Sequence, residues 1–213
     1  LTPLPTTPAQ SGMIFHSLSA PGTGVEIEQI LVSTEEPLDR AALREAWRLV
    51  TDRHPALRTS FRWQGRARPR QVVEPVATAP SLRVLDGKPV EAILAEDRGR
   101  DFDLGHPPTR LGIRAEGSRW FLLWSFHHAI LDGRSFPVVL DEVFRLYQGL
   151  REGSRPSLPP PPPPFGAFAH YLDERSHEVA RPFWTDAFQE VRGPDYPFPP
   201  TRPHRNSGRF GAQ

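Results

Sequence analysis

The chain of 213 residues contains no cysteine, which excludes disulfide bonds and catalysis by a thiol. It also lacks an apolar run long enough to cross a lipid bilayer, and its N-terminus has neither the basic nor the apolar region of a secretory signal. Neither sign of charge is in excess, because 26 basic side chains are balanced by 25 acidic ones. These absences predict a cytoplasmic protein that binds neither nucleic acid nor membranes.

Proline is the residue that this chain uses heavily, with 26 in total, most densely in the last third. Residues 159–164 are an unbroken proline run, which predicts an extended, polyproline-like spacer. A recruitment site for a proline-binding domain is the alternative interpretation of the same run. After Val191 the chain is rich in Pro, Gly and Arg, a composition typical of a linker or tail.

Hydrophobic periodicity predicts an α/β fold, with a mixed sheet flanked by helices in one lobe. The clearest helix starts at Asp39 and ends before Pro55. Its apolar residues recur every three or four positions and form one face: Leu43, Ala46, Trp47 and Val50. Other helices are predicted to start near residues 8, 90, 136, 165 and 183, and strands to lie at 25–30, 57–63, 71–76, 82–85, 111–115 and 120–126.

Two adjacent histidines, His127 and His128, follow the last predicted strand and precede the long helix after it. Neighbouring residues of an extended chain face opposite sides, so one ring is expected to face a cavity while the other packs or bonds within the lobe. A neutral imidazole can accept a proton or hold an attacking N–H or O–H group in line, and His128 is the candidate for this role. His127 is retained as a second candidate catalytic residue.

An aspartate and a glycine, Asp132 and Gly133, close the same loop. Asp132 can orient His128, as in a triad, or pair with an arginine, and we favour the pair because a buried carboxylate needs a partner. Gly133 is a third catalytic candidate, since it lets a ligand approach the backbone at a helix N-terminus whose N–H groups stabilise negative charge.

Other kinds of chemistry find no support in the sequence. No serine lies in a Gly-x-Ser-x-Gly elbow, so direct attack of one bound substrate on another is favoured over a covalent enzyme intermediate. No metal site is predicted, because adjacent histidines diverge and no third ligand has suitable spacing.

Residues 127–133, His-His-Ala-Ile-Leu-Asp-Gly, resemble the HHxxxDG signature of the condensation domains of nonribosomal peptide synthetases and of related acyltransferases. Residues 53–61, Arg-His-Pro-Ala-Leu-Arg-Thr-Ser-Phe, resemble the RHxxLRTxF motif of the same family. Three further segments, at 8–15, 102–104 and 165–169, are similar to other family motifs in the same order. The resemblance extends over residues 8–188.

The resemblance implies a two-lobed, chloramphenicol-acetyltransferase-like fold, of which residues 1–188 are the N-terminal lobe. Residues 189–213 are then a Pro/Arg/Gly-rich tail or the start of the crossover to an absent second lobe. The first residue is not an initiator methionine, so we expect a piece of a longer protein. Two substrates, each tethered to the 4′-phosphopantetheine of a carrier protein, enter a tunnel between the lobes, and an amine attacks a thioester to form an amide. The lobe needs no cofactor of its own.

The resemblance also implies roles for individual residues. His128 is the catalytic histidine, and Asp132 forms a structural salt bridge whose expected partner is Arg58, with Arg53 also supporting the site. The implied partners are peptidyl or acyl carrier domains, the missing C-terminal lobe and an adenylation domain. One lobe supplies only half of the binding surface, so we expect the isolated chain to be inactive. Two alternatives remain: an O-acyltransferase that forms esters, and a non-catalytic fragment that docks a carrier protein.

Overall fold

The computed structural model describes residues 2–85, 87–154, 156–175, 177–191 and 193. It divides into two compact units, Leu1–Glu174 and Arg175–Gln213. The first unit therefore ends earlier than the lobe predicted from the sequence, and the assignment of residues 175–188 to that lobe stays a prediction. Most of the predicted tail, residues 192 and 194–213, lies outside the described residues.

A four-stranded sheet forms the centre of the first unit, and its strands are β2 at Ile27–Thr34, β5 at Ser81–Val84, β6 at Thr109–Glu116 and β7 at Arg119–His127. The strand order is β2-β7-β6-β5. Strands β6 and β7 form a hairpin, β2 pairs antiparallel with β7, and β5 pairs parallel with β6, so the predicted mixed sheet is confirmed. At the end of the sheet, His127 pairs with Ile27.

A second, three-stranded antiparallel sheet has the order β1-β4-β3, with β1 at Leu4–Pro5, β3 at Thr59–Arg62 and β4 at Arg70–Val73. The sequence pattern does not predict strand β1, because two residues that include a proline carry no alternation. The side chain of Gln71 holds β1 in place by donating a hydrogen bond to the Pro5 carbonyl at 2.7 Å.

Six helices are described: α1 at Pro8–Ser19, α2 at Arg40–Arg53, α3 at Val90–Arg98, α4 at Ser135–Arg151, α5 at Phe165–Asp173 and, in the second unit, α6 at His177–Ala187. Local signals set several of their ends. Thr7 and Gln10 form a reciprocal capping box at the start of α1, and Asp39 accepts two backbone N–H groups at the start of α2. Pro55 follows the end of α2 and opens the 3₁₀ turn Pro55–Arg58.

The hydrophobic core lies between the four-stranded sheet and the helices α2 and α4. All four residues of the predicted α2 face are fully buried, at 0% exposure, which confirms that face. Trp47 packs on Trp124 of β7 at 4.9 Å between ring centroids, and Trp124 packs on Phe126 at 4.6 Å. Successive strand residues point to opposite faces, so Trp124 and Phe126 face the core on the α2 side. The residues that alternate with them face the other side of the sheet, where α3 packs.

Helix α3 is held to that opposite face by a buried polar network around Asp97. Its carboxylate accepts hydrogen bonds from Arg110 at 2.7 Å, Ser125 at 2.5 Å and Gln29 at 2.9 Å. Burial by itself raises the pKa of Asp97, but these three hydrogen bonds outweigh it and hold the pKa below its usual value. Helices thus cover both faces of the sheet, and the predicted α/β architecture is confirmed.

Candidate active site

A cavity of about 550 Å³ lies where α1, the loop after β7, α4 and the chain leading into α5 meet. Its walls include Gln10 and Met13 of α1, His54 to Ala56 after α2, residues 128–132 of the loop, Val138 and Val139 of α4, and Pro162, Pro163, Pro164, Phe165 and Phe168. Most of these side chains are apolar, whereas the loop contributes His128 and Asp132. The cavity, which is open to solvent on one side, therefore places a titratable ring against mostly apolar walls.

His128 lies directly after β7 and lines this cavity. Its backbone N–H donates to the carbonyl of Glu26 at 2.8 Å, which fixes the chain at this point. Glu26 has a φ of 62°, in the left-handed region that non-glycine residues seldom adopt. The ring nitrogen Nδ1 of His128 is 2.9 Å from the carbonyl oxygen of Leu131. Because a carbonyl only accepts, Nδ1 carries a proton, and in the neutral form of the ring the lone pair is therefore on Nε2.

His127 occupies the opposite face of the strand end and is buried, with 1% exposure. Its Nδ1 accepts the backbone N–H of Ala129 at 3.0 Å, so its Nε2 carries the proton and donates to the Ser17 hydroxyl at 2.7 Å. Burial lowers the pKa of His127 to about 4. Both nitrogens of this neutral ring are occupied, and the ring connects the loop to α1.

The titration of His127 predicts a pH-dependent stability. The folded-state pKa is below the ordinary value of 6.5, so the unfolded chain binds the proton more tightly. The stabilisation is complete above about pH 6.5 and is lost as the pH falls toward about 4. Urea unfolding across this range should show the decline, and His127→Gln should flatten it. If NMR titration of the His127 ring gives an ordinary pKa, this explanation is wrong.

Asp132 does not form the salt bridge that the resemblance implied. Its Oδ1 accepts the backbone N–H groups of Arg134 at 3.1 Å and Ser135 at 2.8 Å, and the Ser135 hydroxyl at 2.6 Å. The Ser135 hydroxyl is the main cause of a lowered pKa for the Asp132 carboxyl. Asp132 is exposed, and among the described residues it takes part in no ion pair with any arginine. The reason is proximity: the free N–H groups at the start of α4 lie only two and three residues after Asp132, and they bind its carboxylate.

Arg58 lies outside the cavity. It donates to the backbone carbonyl of Glu74 and lines a separate groove of about 530 Å³, together with Arg62 and His106. The 3₁₀ turn explains this separation, since Pro55 and Ala56 face the cavity while Leu57 and Arg58 face the groove. The predicted pairing of Asp132 with Arg58 is therefore corrected.

Arg53 supports the cavity through a residue that the sequence analysis missed, Glu142 of α4. Arg53 Nε is 3.0 Å from both carboxylate oxygens of Glu142, and His54 Nε2 is 2.5 Å from Oε2. The Arg53 guanidinium also donates to the carbonyl of Pro159. The available signal was an acid on the apolar face of α4, because Glu142 lies three residues after the buried Val139.

Gln10 is a second residue whose role at the site was missed. Its side-chain amide is buried and donates to the carbonyl of Ala129 at 3.0 Å, while its oxygen accepts the backbone N–H of Thr7. It thereby ties the histidine loop to the start of α1. The sequence showed Gln10 only as part of a helix start, and a contact between residues 10 and 129 has no local signature.

The structure gives less support to a role for Gly133 than the sequence did. A Cβ atom built on Gly133 meets nothing within 4 Å, so the fold of the chain itself does not require glycine there. The N–H groups of Arg134 and Ser135 are already bonded to Asp132, and these two are not available to stabilise negative charge on a ligand. A role for Gly133 toward a bound substrate stays a prediction.

The hydrogen bonds of Asp132 to the N–H groups at the start of α4 predict a modest effect of its removal. Asp132→Ala should lower the free energy of unfolding by about 1 kcal/mol, as for the loss of a helix cap. Removing one partner of a buried salt bridge would instead cost about 3–5 kcal/mol. Urea unfolding distinguishes the two values, and Asp132→Asn, which keeps an acceptor oxygen, should lie close to wild type. A loss of unfolding free energy above about 3 kcal/mol would instead support a buried salt bridge of Asp132.

No described helix combines the length and the apolar character needed to cross a membrane. In the same part of the chain, no group of three His, Asp or Glu side chains is arranged to hold a metal ion.

Comparison with known proteins agrees with the motifs around the cavity. The family model described as "Condensation domain" matches residues 2–212. This chain belongs to the condensation-domain family. Over 198 residues it is 36% identical to a linear gramicidin synthase of Brevibacillus parabrevis, covering 88% of the chain and 4% of that protein. Over 199 residues it is 32% identical to surfactin synthase subunit 3 of Bacillus subtilis (strain 168), covering 88% of the chain and 15% of that protein.

Solved condensation domains share the fold. The starter condensation domain of rhizomide synthetase aligns with a TM-score of 0.73 at 20% identity, over 88% of this chain and 50% of that one. The first condensation domain of the calcium-dependent antibiotic synthetase, in complex with a substrate analogue, aligns with a TM-score of 0.71 at 20% identity, over 89% and 49%. The predicted chloramphenicol-acetyltransferase-like fold is confirmed, and this condensation-domain chain spans about half of each solved domain.

Proposed function

We propose that this chain is the histidine-bearing N-terminal lobe of a condensation domain that forms an amide bond in nonribosomal peptide synthesis. Its substrates would be acyl or aminoacyl groups tethered to the 4′-phosphopantetheine of carrier proteins. The observation that carries the proposal is His128, whose Nδ1–H is bonded to the Leu131 carbonyl on the wall of a largely apolar cavity. That bond leaves Nε2 as a hydrogen-bond acceptor for an attacking amine.

In the proposed reaction, the acceptor amine attacks the carbonyl carbon of the donor thioester. Nε2 of His128 accepts a hydrogen bond from the amine, which orients the nitrogen lone pair toward the carbonyl. The C–N bond forms, the C–S bond breaks, and the proton lost by the amine ends on the released phosphopantetheine thiol. The protein need not supply a covalent intermediate, which agrees with the absence of cysteine and of a serine elbow.

Three further residues around the loop act through His128 in this proposal. His127 is a positioning residue, because its bonds to Ser17 and Ala129 hold the loop that carries His128. Asp132 holds the end of the same loop against the first turn of α4. Gln10 fixes the loop between these two points through the Ala129 carbonyl.

One wall of a cavity does not align two substrates, so we propose that the chain works with a second lobe and with carrier domains. The isolated chain of 213 residues is expected to show no turnover. An adenylation domain would load the carriers in the same assembly. Cytoplasmic localisation stays a prediction from the amino-acid composition.

The test uses the product of the complete gene, carrier proteins loaded with an acyl thioester, and matched amine and alcohol acceptors. Amide formation, detected by mass spectrometry of the acceptor carrier, supports the proposal. Faster ester formation with the alcohol would instead identify an O-acyltransferase. Carrier binding without any product would identify a docking fragment, and it would reject a catalytic role for His128.

A further inference from the structure

The proline run, residues 159–164, forms part of the wall of the cavity that contains His128. Pro162, Pro163 and Pro164 line it, and Phe165 and Phe168 of α5 continue the same wall. The sequence predicted that this run is a spacer, and a spacer would not contact the substrate. In the structure the end of the run lines the same cavity as the candidate catalytic ring, and this position allows it to contact a substrate bound there.

Arg53 holds the first end of the run. Its guanidinium donates to the carbonyl of Pro159, while its Nε is bonded to both oxygens of Glu142. Glu142 is buried at 5% exposure and belongs to α4. The start of the run, although exposed, is therefore connected to the packed pair of helices α2 and α4.

The other end of the run is held by α5. A Cβ atom built on Gly166 would lie 2.8 Å from Leu4 Cδ1, so α5 approaches β1 closely here and a larger residue would require the Leu4 side chain to shift. Ala169, one turn later, is fully buried at 0% exposure. Asp173 at the end of α5 lies 3.7 Å from Arg70 of β4, on the same small sheet. The run is thus attached to packed structure on both sides.

Between these two attachments the run is stiff for a chemical reason. Each proline ring fixes φ near −65°, and the extended polyproline form rises about 3.1 Å per residue without internal hydrogen bonds. Pro164 has φ −60° and ψ 135°, within that conformation. Proline also has no N–H group, so the proline part of the wall offers a ligand apolar ring surface and carbonyl acceptors but no backbone donor.

We propose that Pro163 and its neighbours in the wall, together with Phe168, determine specificity by contacting an apolar group of the substrate next to His128. The group is an aliphatic acyl chain or an apolar amino-acid side chain on one of the tethered substrates. This inference rests on the proposed function, since it assigns the substrate class of that same cavity. A wall that is stiff before binding loses little entropy when the apolar group is held against it.

Pro163→Ala and Phe168→Ala test the proposal because both create space only at the wall. The matched control is Pro160→Ala, since Pro160 belongs to the same run but does not line the cavity. In the complete gene product, kcat/KM is measured with a long and a short straight-chain group, varied first on the donor and then on the acceptor. The wall variants should raise the long-to-short ratio roughly tenfold for one of the two substrates, as expected when a pocket gains the volume of a methylene group or more.

The control should keep the wild-type ratio. Unchanged ratios in both wall variants would overturn the proposal, and so would an equal change in the Pro160→Ala control. The affinities of the long-chain and short-chain acyl-pantetheine amides, measured by calorimetry, give the same ratio without chemistry. If the wall variants change this affinity ratio but the protein forms no amide, the proposed function is rejected, whereas the role of the proline wall in substrate specificity is supported.

Arg53→Lys tests the attachment of the wall. Lysine keeps the positive charge beside Glu142 but has a single nitrogen, so it cannot reproduce the guanidinium fork that bonds Glu142 through Nε and Pro159 through a second nitrogen. If Arg53 is a positioning residue for the wall, the variant should shift the long-to-short ratio in the direction of Pro163→Ala. A merely structural role would instead lower kcat equally for both chain lengths and leave the ratio at its wild-type value.

Discussion

Replacing His128 with alanine is expected to lower the rate of amide formation by about 10²–10⁴-fold, the range in which positioned acid–base groups contribute. The variant loses Nε2 of His128 from the cavity wall, whereas the other ring on that wall, His54, is held through its Nε2 to the buried Glu142 carboxylate. The side chain is only partly buried, so the free energy of unfolding should fall by about 1 kcal/mol, the value of one hydrogen bond. Carrier-loaded substrates and the complete gene product are used for the rate.

His106→Ala is the matched control for this variant. The His106 side chain is 80% exposed and pairs with Asp103 outside the cavity, so its removal should leave the rate at the wild-type value. A small rate loss for His128→Ala, of the size seen for His106→Ala, would reject His128 as the catalytic residue. If the rate falls strongly but the variant also unfolds, single-turnover rates are measured on the folded fraction. A normal rate there would again reject His128 as the catalytic residue.

The parts of the fold that could be predicted from the sequence are those with local causes. Asp39 caps the start of α2, and Pro55 prevents the helix from continuing. The apolar residues between them recur at helical spacing, so the sequence predicts α2 together with its buried face. The hairpin of β6 and β7 is likewise marked by two apolar runs around Gly117, whose φ of 59° is the conformation that favours glycine in such a turn. Strand β1 has no such pattern and is defined only by its pairing with β4.

The candidate site shows the same division between local and distant causes. The different surroundings of His127 and His128 follow from strand alternation, a property of adjacent residues. The partner of Asp132 could not be obtained that way, because a distant arginine and the nearby N–H groups of α4 compete for one carboxylate. The structure shows that the nearby groups bind it. Glu142 was missed because an acid on an apolar helix face is interpretable only when its cationic partners are known.

Removing Glu142 is the change with the largest expected effect on stability. Its carboxylate is buried between α2 and α4 and accepts hydrogen bonds from Arg53 and His54. In Glu142→Ala the Arg53 guanidinium, attached to a largely buried side chain, loses its carboxylate and keeps only the Pro159 carbonyl, and the free energy of unfolding should fall by about 3–5 kcal/mol. Glu142→Gln keeps an acceptor oxygen and should lose less. Urea unfolding at neutral pH measures all three proteins.

The neighbouring residue of the same helix provides the control. Asp141 pairs with Arg145 at 2.8 Å, but these side chains are 59% and 58% exposed, so Asp141→Ala should change the free energy of unfolding by less than about 1 kcal/mol. Equal losses for the Asp141 and Glu142 variants would show that the buried pair contributes no more than a surface pair. Because Arg53 also holds Pro159, Glu142→Ala should in addition shift the long-to-short substrate ratio in the direction of Arg53→Lys. A folded Glu142→Ala protein with the wild-type ratio would separate the stability of the helix pair from the position of the proline wall.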